Sequence, residues 1–289
     1  MKAEDYPALF RAAEAASRSA QGAHLFSIKA FAALSIGGAG LATYGIQARQ
    51  AAVAGALFFL GSLFLSAFMA FRKFEGTWYR ARALAESIKT STWKMMMRAE
   101  PFDDPDVLVV KGKFRDLLQR LLNEHRDLAH EFSGAAANQD PLTDKMLAVR
   151  ELPLEERMRF YRTHRIDDQG GWYADKAGAN KRGGQLWFMA LILCQAGAIT
   201  CTLLRIAEPA RQYWPTEIFV VAAASILSWT QTKRFRELSA AYTLAAHEIA
   251  FARNELDDVT PDEPTFSRFV SNMENAFSRE HTQWAARRE

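Results

Sequence analysis

The chain has 289 residues, about a quarter of them charged, with 36 Lys and Arg against 33 Asp and Glu. A net charge of only +3, with acidic residues interleaved throughout, excludes the concentrated basic face of a nucleic-acid binder. These totals resemble a soluble protein's, yet residues 30–46, 51–71, 186–204 and 218–232 contain no Lys, Arg, Asp or Glu.

Taken in chain order, those four runs read as membrane spans. A hydrocarbon core of ~30 Å takes about 20 apolar residues at a rise of about 1.5 Å each. The first run reaches that length once residues 26–29 are included, with Lys29 snorkelling to the interface. It is not a removable leader, because the second run follows across only Gln47-Ala48-Arg49-Gln50, and two spans joined so tightly form a hairpin. The second run carries Leu57-Phe58-Phe59-Leu60 and Leu63-Phe64-Leu65, which leave no polar face for a buried helix of a soluble protein. The third run is of full length. The fourth is the shortest and needs residues 214–217 at its start, where Pro215, Thr216 and Glu217 read as a helix beginning.

Cations set the expected orientation. The hairpin tips carry Arg49, and Arg205 with Arg211. The opposite ends carry Lys29, Arg72-Lys73, Lys176, Lys181, Arg182 and Lys233-Arg234-Phe235-Arg236. By the positive-inside rule, both termini and the long middle section are expected on the cytoplasmic side. Trp187 and Trp229 fall near that boundary and Trp214 near the outer one.

Between and after the hairpins the pattern is helical, and the fold class is an all-α membrane protein of two hairpins with cytoplasmic amphipathic helices. Ala81, Leu84, Ala85 and Ile88 form an apolar stripe after the first hairpin, with Tyr79, Ala83, Glu86 and Thr90 between them, and Pro101 ends that helix. Residues 114–131 form another helix, striped by Phe114, Leu117, Leu118, Leu121, Leu122 and Leu128. The small polar segment 133–140 marks the expected domain boundary, giving units 1–140 and 141–289. Helix resumes over 144–150 and 154–165. After the second hairpin, Leu238, Tyr242, Ala245, Ile249 and Leu256 recur near helical spacing, and a last helix starts at about Thr265 and ends in Arg287-Arg288-Glu289. Phe74 and Ile88 correspond to Phe235 and Ile249 at one constant offset, a weak internal repeat that the shared hairpin layout strengthens.

No catalytic constellation is visible, so no enzyme, cofactor or metal site is expected. The six histidines lack zinc-ligand spacing. Cys194 and Cys201 share one face of an apolar run without His or carboxylate neighbours, and read as small packing residues. Asp103, Asp104 and Asp106 crowd beside Pro101 and Pro105 as a solvated turn. Gly37-Gly38-Ala39-Gly40 lies within a span, where small residues let helices approach closely, and is not a phosphate loop. Polar residues within the spans are more informative. Ser62 and Ser66, Gln195 and Thr202, and Ser225, Ser228 and Thr232 form narrow stripes that either bond to helices or line a water-filled path.

Glu86-Ser87-Ile88-Lys89-Thr90-Ser91-Thr92-Trp93, with Arg98-Ala99-Glu100-Pro101-Phe102, resembles the helix that leaves the hairpin in the SLATT superfamily. These are two-transmembrane effector domains associated with SMODS nucleotidyltransferases and SLOG sensors. Tyr161 with Arg165-Ile166-Asp167-Asp168-Gln169, then Trp172-Tyr173 and Lys176-Ala177, resembles the start of a second SLATT type, so nearly the whole chain looks like a tandem SLATT protein. The resemblance implies an oligomeric pore-forming effector of bacterial conflict systems, in the inner membrane, answering a nucleotide second messenger or a cytoplasmic sensor protein. It implies candidate pore-lining roles for Ser62, Ser66, Gln195, Thr202, Ser225 and Ser228. It also implies coupling or sensing roles for Glu86, Trp93 and Arg98 at the first hairpin, and for Arg165, Asp168, Gln169, Trp172 and Lys176 at the second. Packing of the helix bundle is the other reading of the coupling residues, and a non-conducting membrane scaffold the other reading of the whole.

Overall fold

Long apolar runs fold as single helices because a backbone in hydrocarbon must satisfy its own hydrogen bonds. The computed structural model describes residues 1–45, 48–132, 140–211 and 213–286, with side chains as far as residue 277, and every regular element among them is helical. Gln47 of the first tip, most of the expected boundary segment 133–140 and Arg287-Arg288-Glu289 lie outside the described residues. The helices are α1 (Ala8–Tyr44), α2 (Arg49–Arg72), α3 (Phe74–Met96), α4 (Val107–Glu124), α5 (Asp144–Glu151), α6 (Leu154–Tyr161), α7 (Asp168–Ala207), α8 (Thr216–Lys233), α9 (Phe235–Asp258) and α10 (Glu263–Ala286). Short 3₁₀ turns cover Ala3–Asp5 and Arg126–Glu131, and a π-helical segment covers Arg162–Asp167.

Several boundaries differ from the sequence expectation, including that of the helix expected over 154–165, which is α-helical only to Tyr161. The helix expected from 114 begins at Val107, because Asp106 accepts a hydrogen bond from the Leu108 N–H (2.8 Å) and caps it. It stops at Glu124, and Arg126–Glu131 is a 3₁₀ turn. The last helix starts at Glu263, two residues earlier than expected, where the Asp262 carboxylate accepts from the Thr265 N–H (3.0 Å).

Among the described residues, three helical runs are long and apolar enough to cross a membrane: Ala8–Tyr44, Arg49–Met96 and Leu154–Ala207. The 18-residue α8 is not among them, since Glu217 and Lys233 fall within it.

The chain forms two compact units, each assembled from separated segments. One comprises Met1–Gln21, Phe74–Trp172 and Ala246–Glu289, the other Gly22–Lys73 and Tyr173–Ala245. Helices α1, α7 and α9 contribute residues to both.

The polar unit is built around α3. Its stripe of Ala81, Leu84, Ala85 and Ile88 is fully buried, as are Trp93, Met95 and Met96 further on. Phe266, Phe269, Val270 and Phe277 of α10 supply a facing stripe, and Val110, Phe114 and Leu118 come from α4. Glu86 and Thr90, expected between the apolar positions, are buried too, with Thr90 Oγ1 donating back to the Glu86 carbonyl (3.1 Å).

The apolar unit holds the hairpins, and its helices meet at glycines. A Cβ added to Gly37 would lie 2.8 Å from the Phe58 ring, and one added to Gly197 would lie 2.8 Å from the Phe219 ring. The first helix of each hairpin thus gives up a side chain so that a phenylalanine of the second can lie flat against it. Gly40 faces Ile218, and Lys29 sits 5.2 Å from the centre of the Trp229 ring, so α1 and α8 run antiparallel side by side. The glycine run 37–40 therefore serves two neighbours at once.

The internal repeat is explicit in the backbone. Each hairpin closes on one left-handed residue, Lys73 (φ 47°) and Arg234 (φ 48°), whose N–H bonds to the carbonyls of Met69 and Thr230 respectively. Met69, Lys73, Phe74 and Ile88 correspond to Thr230, Arg234, Phe235 and Ile249 at the same offset. Ile88 and Ile249 are both buried.

Candidate functional site

Three arginines and two glutamates are almost completely withdrawn from solvent in the polar unit: Arg150, Arg157, Arg165, Glu86 and Glu274. Burying an ion is costly unless hydrogen bonds and counter-charge replace its water, so each needs an account.

Two of the arginines close the end of α3. The last carbonyls of a helix have no partner within it and carry partial negative charge. Arg150 Nη1 donates to the Met95 carbonyl (2.6 Å) and Nη2 to that of Asp104 (2.8 Å). Arg157 Nη1 donates to the Met97 carbonyl (3.0 Å), Nε to that of Leu152 (3.0 Å), and Nη2 to the Glu263 carboxylate. Arg98, in the left-handed region at φ 54°, turns the chain out of α3 and donates from Nε to the Arg150 carbonyl (3.1 Å). Burial, helped by neighbouring Arg98 and Arg157, pushes the Arg150 guanidinium down to about 10.

The third arginine has a carboxylate of its own. Arg165 lies in the π-helical segment before α7 and grips Glu274 of α10 with two hydrogen bonds, Nε to Oε1 (2.8 Å) and Nη2 to Oε2 (2.6 Å). Tyr161 donates its phenol to the same Oε1 (2.9 Å). The guanidinium also stacks over Phe277 (4.6 Å) and Trp93 (5.8 Å). Burial alone would lower the Arg165 pKa, but the paired carboxylate outweighs it and holds the value above its ordinary one. Trp93 donates from Nε1 to Tyr6 Oη (3.1 Å), and burial pushes that phenol up to about 12. Tyr161, buried beside Glu274, is raised as well. Two turns before Trp93 on α3, Glu86 meets Arg82 (2.7 Å) and Lys89 (4.0 Å), and burial lowers the Lys89 pKa.

Of the candidate coupling residues, Glu86, Trp93, Arg98 and Arg165 all fall within this polar unit, and Arg165 stacks directly on Trp93. Asp168 and Trp172 are exposed and Gln169 is half-buried, one to two turns along the helix from Arg165. Lys176 belongs to the apolar unit and is exposed. Sequence reasoning missed Glu274 and Tyr6. Neither stands in a motif, and both are recruited by residues far away in the chain.

The candidate pore-lining residues separate by partner. Ser62 is buried and donates to the Phe59 carbonyl (2.8 Å); Ser66 donates to that of Ser62 (2.9 Å) and Thr202 to that of Ala198 (2.9 Å). Ser225 is half-buried and Ser228 exposed. Gln195 is exposed on α7, and its carboxamide has no hydrogen-bond partner among the described residues. Both cysteines are free, and no group of metal-binding side chains occurs among the described residues.

The comparisons agree with a membrane role. The family described as SMODS and SLOG-associating 2TM effector domain 3 matches residues 7–158, and the one described as SMODS and SLOG-associating 2TM effector domain 1 matches residues 161–284. No curated protein and no solved structure matches the chain. The chain belongs to the SLATT family, as two membrane-associated two-transmembrane effector domains in tandem.

Proposed function

We propose that the chain is a four-span effector of the bacterial inner membrane that assembles with copies of itself and opens a pore on a cytoplasmic signal, a nucleotide second messenger or a sensor protein. The observation that carries the oligomeric pore is Gln195. A carboxamide in mid-span, exposed and without a hydrogen-bond partner among the described residues, is costly against lipid, and a second copy or a column of water relieves that cost.

Connectivity supports four spans. Residues 1–21, 74–172 and 246–289 fold as one polar unit, and such a unit lies on one side of a bilayer. Residues 22–73 and 173–245 then each leave that side and return, which requires an even number of crossings in each. The excess of Lys and Arg at the ends of the hairpins near the polar segments argues that this side is the cytoplasm.

Coupling follows from Arg165. It sits in a π-helical segment, a strained form of helix often found at functional sites, and α7 follows without a break. A signal that displaced Glu274 would leave a buried cation without its counter-charge. Re-registering the π segment would move Arg165 and rotate α7, which carries Gln195.

Release of a dye from liposomes holding the purified protein tests the reading. Leakage under an activating condition, abolished by Gln195→Leu and kept by Gln195→Asn, supports it. Intact vesicles under every activating condition, with toxicity of Gln195→Leu and Ser225→Leu unchanged in cells, would establish the non-conducting scaffold instead.

A further inference from the structure

The corner where α7, α8 and α9 meet contains a cleft of about 300 Å³, within the range of small-molecule sites. It is lined by the apolar Trp187, Phe188, Leu191, Leu227 and Phe235, together with Arg236 and Glu237. The left-handed Arg234 makes the corner by ending α8 and starting α9 in another direction, with its guanidinium paired to Glu237. Gly183 and Gly184 let the Phe235 ring settle beside α7: a Cβ there would approach it to 3.0 and 3.3 Å.

Around this cleft Glu237 is the one acidic lining residue and is taken up by Arg234, so the remaining charges are cationic. Lys29 and Lys233 stand 5.2 and 5.9 Å from the centre of the Trp229 ring, Trp229 meets Trp187 edge to face at 6.1 Å, and Lys233 also lies 5.9 Å from the Phe235 ring. Lys29 and Lys176 are within electrostatic reach of Lys233. Lys29, Lys233 and Arg236 have no carboxylate partner among the described residues. Three unneutralised cations beside an apolar cleft, at the end of helices that contain Leu191 and Leu227, match a molecule with an anionic head and an apolar tail.

We propose that the α7–α8–α9 corner is a binding site for an anionic phospholipid, with the headgroup phosphate held by Lys233 and Arg236 and the upper acyl chain lying along Phe188, Leu191 and Leu227. Trp187 and Phe235 separate the two regions, as amphipathic rings do at a membrane surface. The site rests on the chain being a membrane protein but not on conductance, so it is tested by lipid retention rather than leakage.

The full chain, extracted in mild detergent and supplied with equal phosphatidylglycerol and phosphatidylcholine, is expected to keep phosphatidylglycerol preferentially in native mass spectrometry. Lys233→Gln and Arg236→Gln should each weaken that retention roughly fivefold. The charge-keeping Lys233→Arg should restore it, and Arg49→Gln at the opposite end of a hairpin should leave it unchanged. Matching circular-dichroism melts show that the variants fold. Equal retention of the two lipids, no loss in either Gln variant, or displacement of the lipid by millimolar inorganic phosphate would each overturn the proposal. So would a cleft occupied by a second copy, read as dimer formation that Leu227→Glu disrupts while lipid retention stays constant.

Discussion

Arg165 and Glu274 are 109 residues apart in sequence and meet as a two-pronged ion pair with essentially no exposure to water. The second hairpin lies entirely between them in the chain. The contact therefore fastens the segment that leads into α7 to the helix that follows α9.

Glu274→Gln should destabilise the polar unit by about 3–5 kcal/mol, because the Arg165 charge stays buried without its partner. The double variant Arg165→Met with Glu274→Leu should recover most of that loss by replacing both ions with apolar volume. Thermal unfolding of the detergent-solubilised variants measures both. An unchanged Tm for Glu274→Gln would mean that the pair does not hold the unit together.

Alkaline pH should loosen the same core through Tyr6. Its raised pKa means that the folded chain keeps the phenolic proton after the unfolded chain, at 10.0, has lost it. The stabilisation is complete below pH 10 and disappears as the pH climbs through about 12. The size is roughly 2–3 kcal/mol from a two-unit displacement. Tyr6→Phe should be less stable below pH 10, through loss of the Trp93 hydrogen bond, and its stability should fall less steeply across this window. Denaturant titrations at a series of pH values give both slopes. Comparing the two curves isolates Tyr6, because Arg150, lowered by burial to about 10, contributes the opposite slope to each.

Gly197→Ala should cost about 1–3 kcal/mol of hairpin stability, since its new methyl would meet the Phe219 ring at 2.8 Å and force it aside. Phe219→Ala in the same chain should relieve most of that cost. Gly22→Ala, with nothing within 4 Å, is the matched control and should be neutral or slightly stabilising. Resistance of the purified protein to unfolding in SDS distinguishes the three.

At Lys73 the side chain itself opposes the backbone. A left-handed conformation costs an L-residue roughly 1–2 kcal/mol, which glycine avoids. Lys73→Gly should raise the melting temperature and Lys73→Val should lower it, whereas Lys→Gly at Lys89, inside α3, should be destabilising. If all three lowered it alike, the turn would not set the junction between α2 and α3.

The parts of this architecture that depend on local composition were legible in the sequence. Charge-free runs marked α1, α2, α7 and α8, and the shared offset of Phe74 and Ile88 with Phe235 and Ile249 marked the repeat that the backbone repeats at Lys73 and Arg234. The stripe of Ala81, Leu84, Ala85 and Ile88 gave the buried face of α3. What could not be read were the choices made at a distance. Glu86 looks like a solvated-face glutamate yet is buried in the folded unit, and nothing near Glu274 distinguishes it from other glutamates of an amphipathic helix. Arg150 and Arg157 look like ordinary surface cations because most of their partners are carbonyls, which every residue has. The start of α4 was misplaced for a similar reason: Asp106 reads as part of an acidic turn, and its role as a cap depends on one backbone N–H.

The polar unit is drawn from three stretches of chain, and this sets an order on its making. As the protein emerges from the ribosome, Arg165 appears well before Glu274, and α7, α8 and α9 are made in the interval. Throughout that time the arginine that leads into α7 lacks the carboxylate it pairs with. The polar unit therefore cannot close until α10 is made, and a chain halted before α10 would hold Arg165 without Glu274.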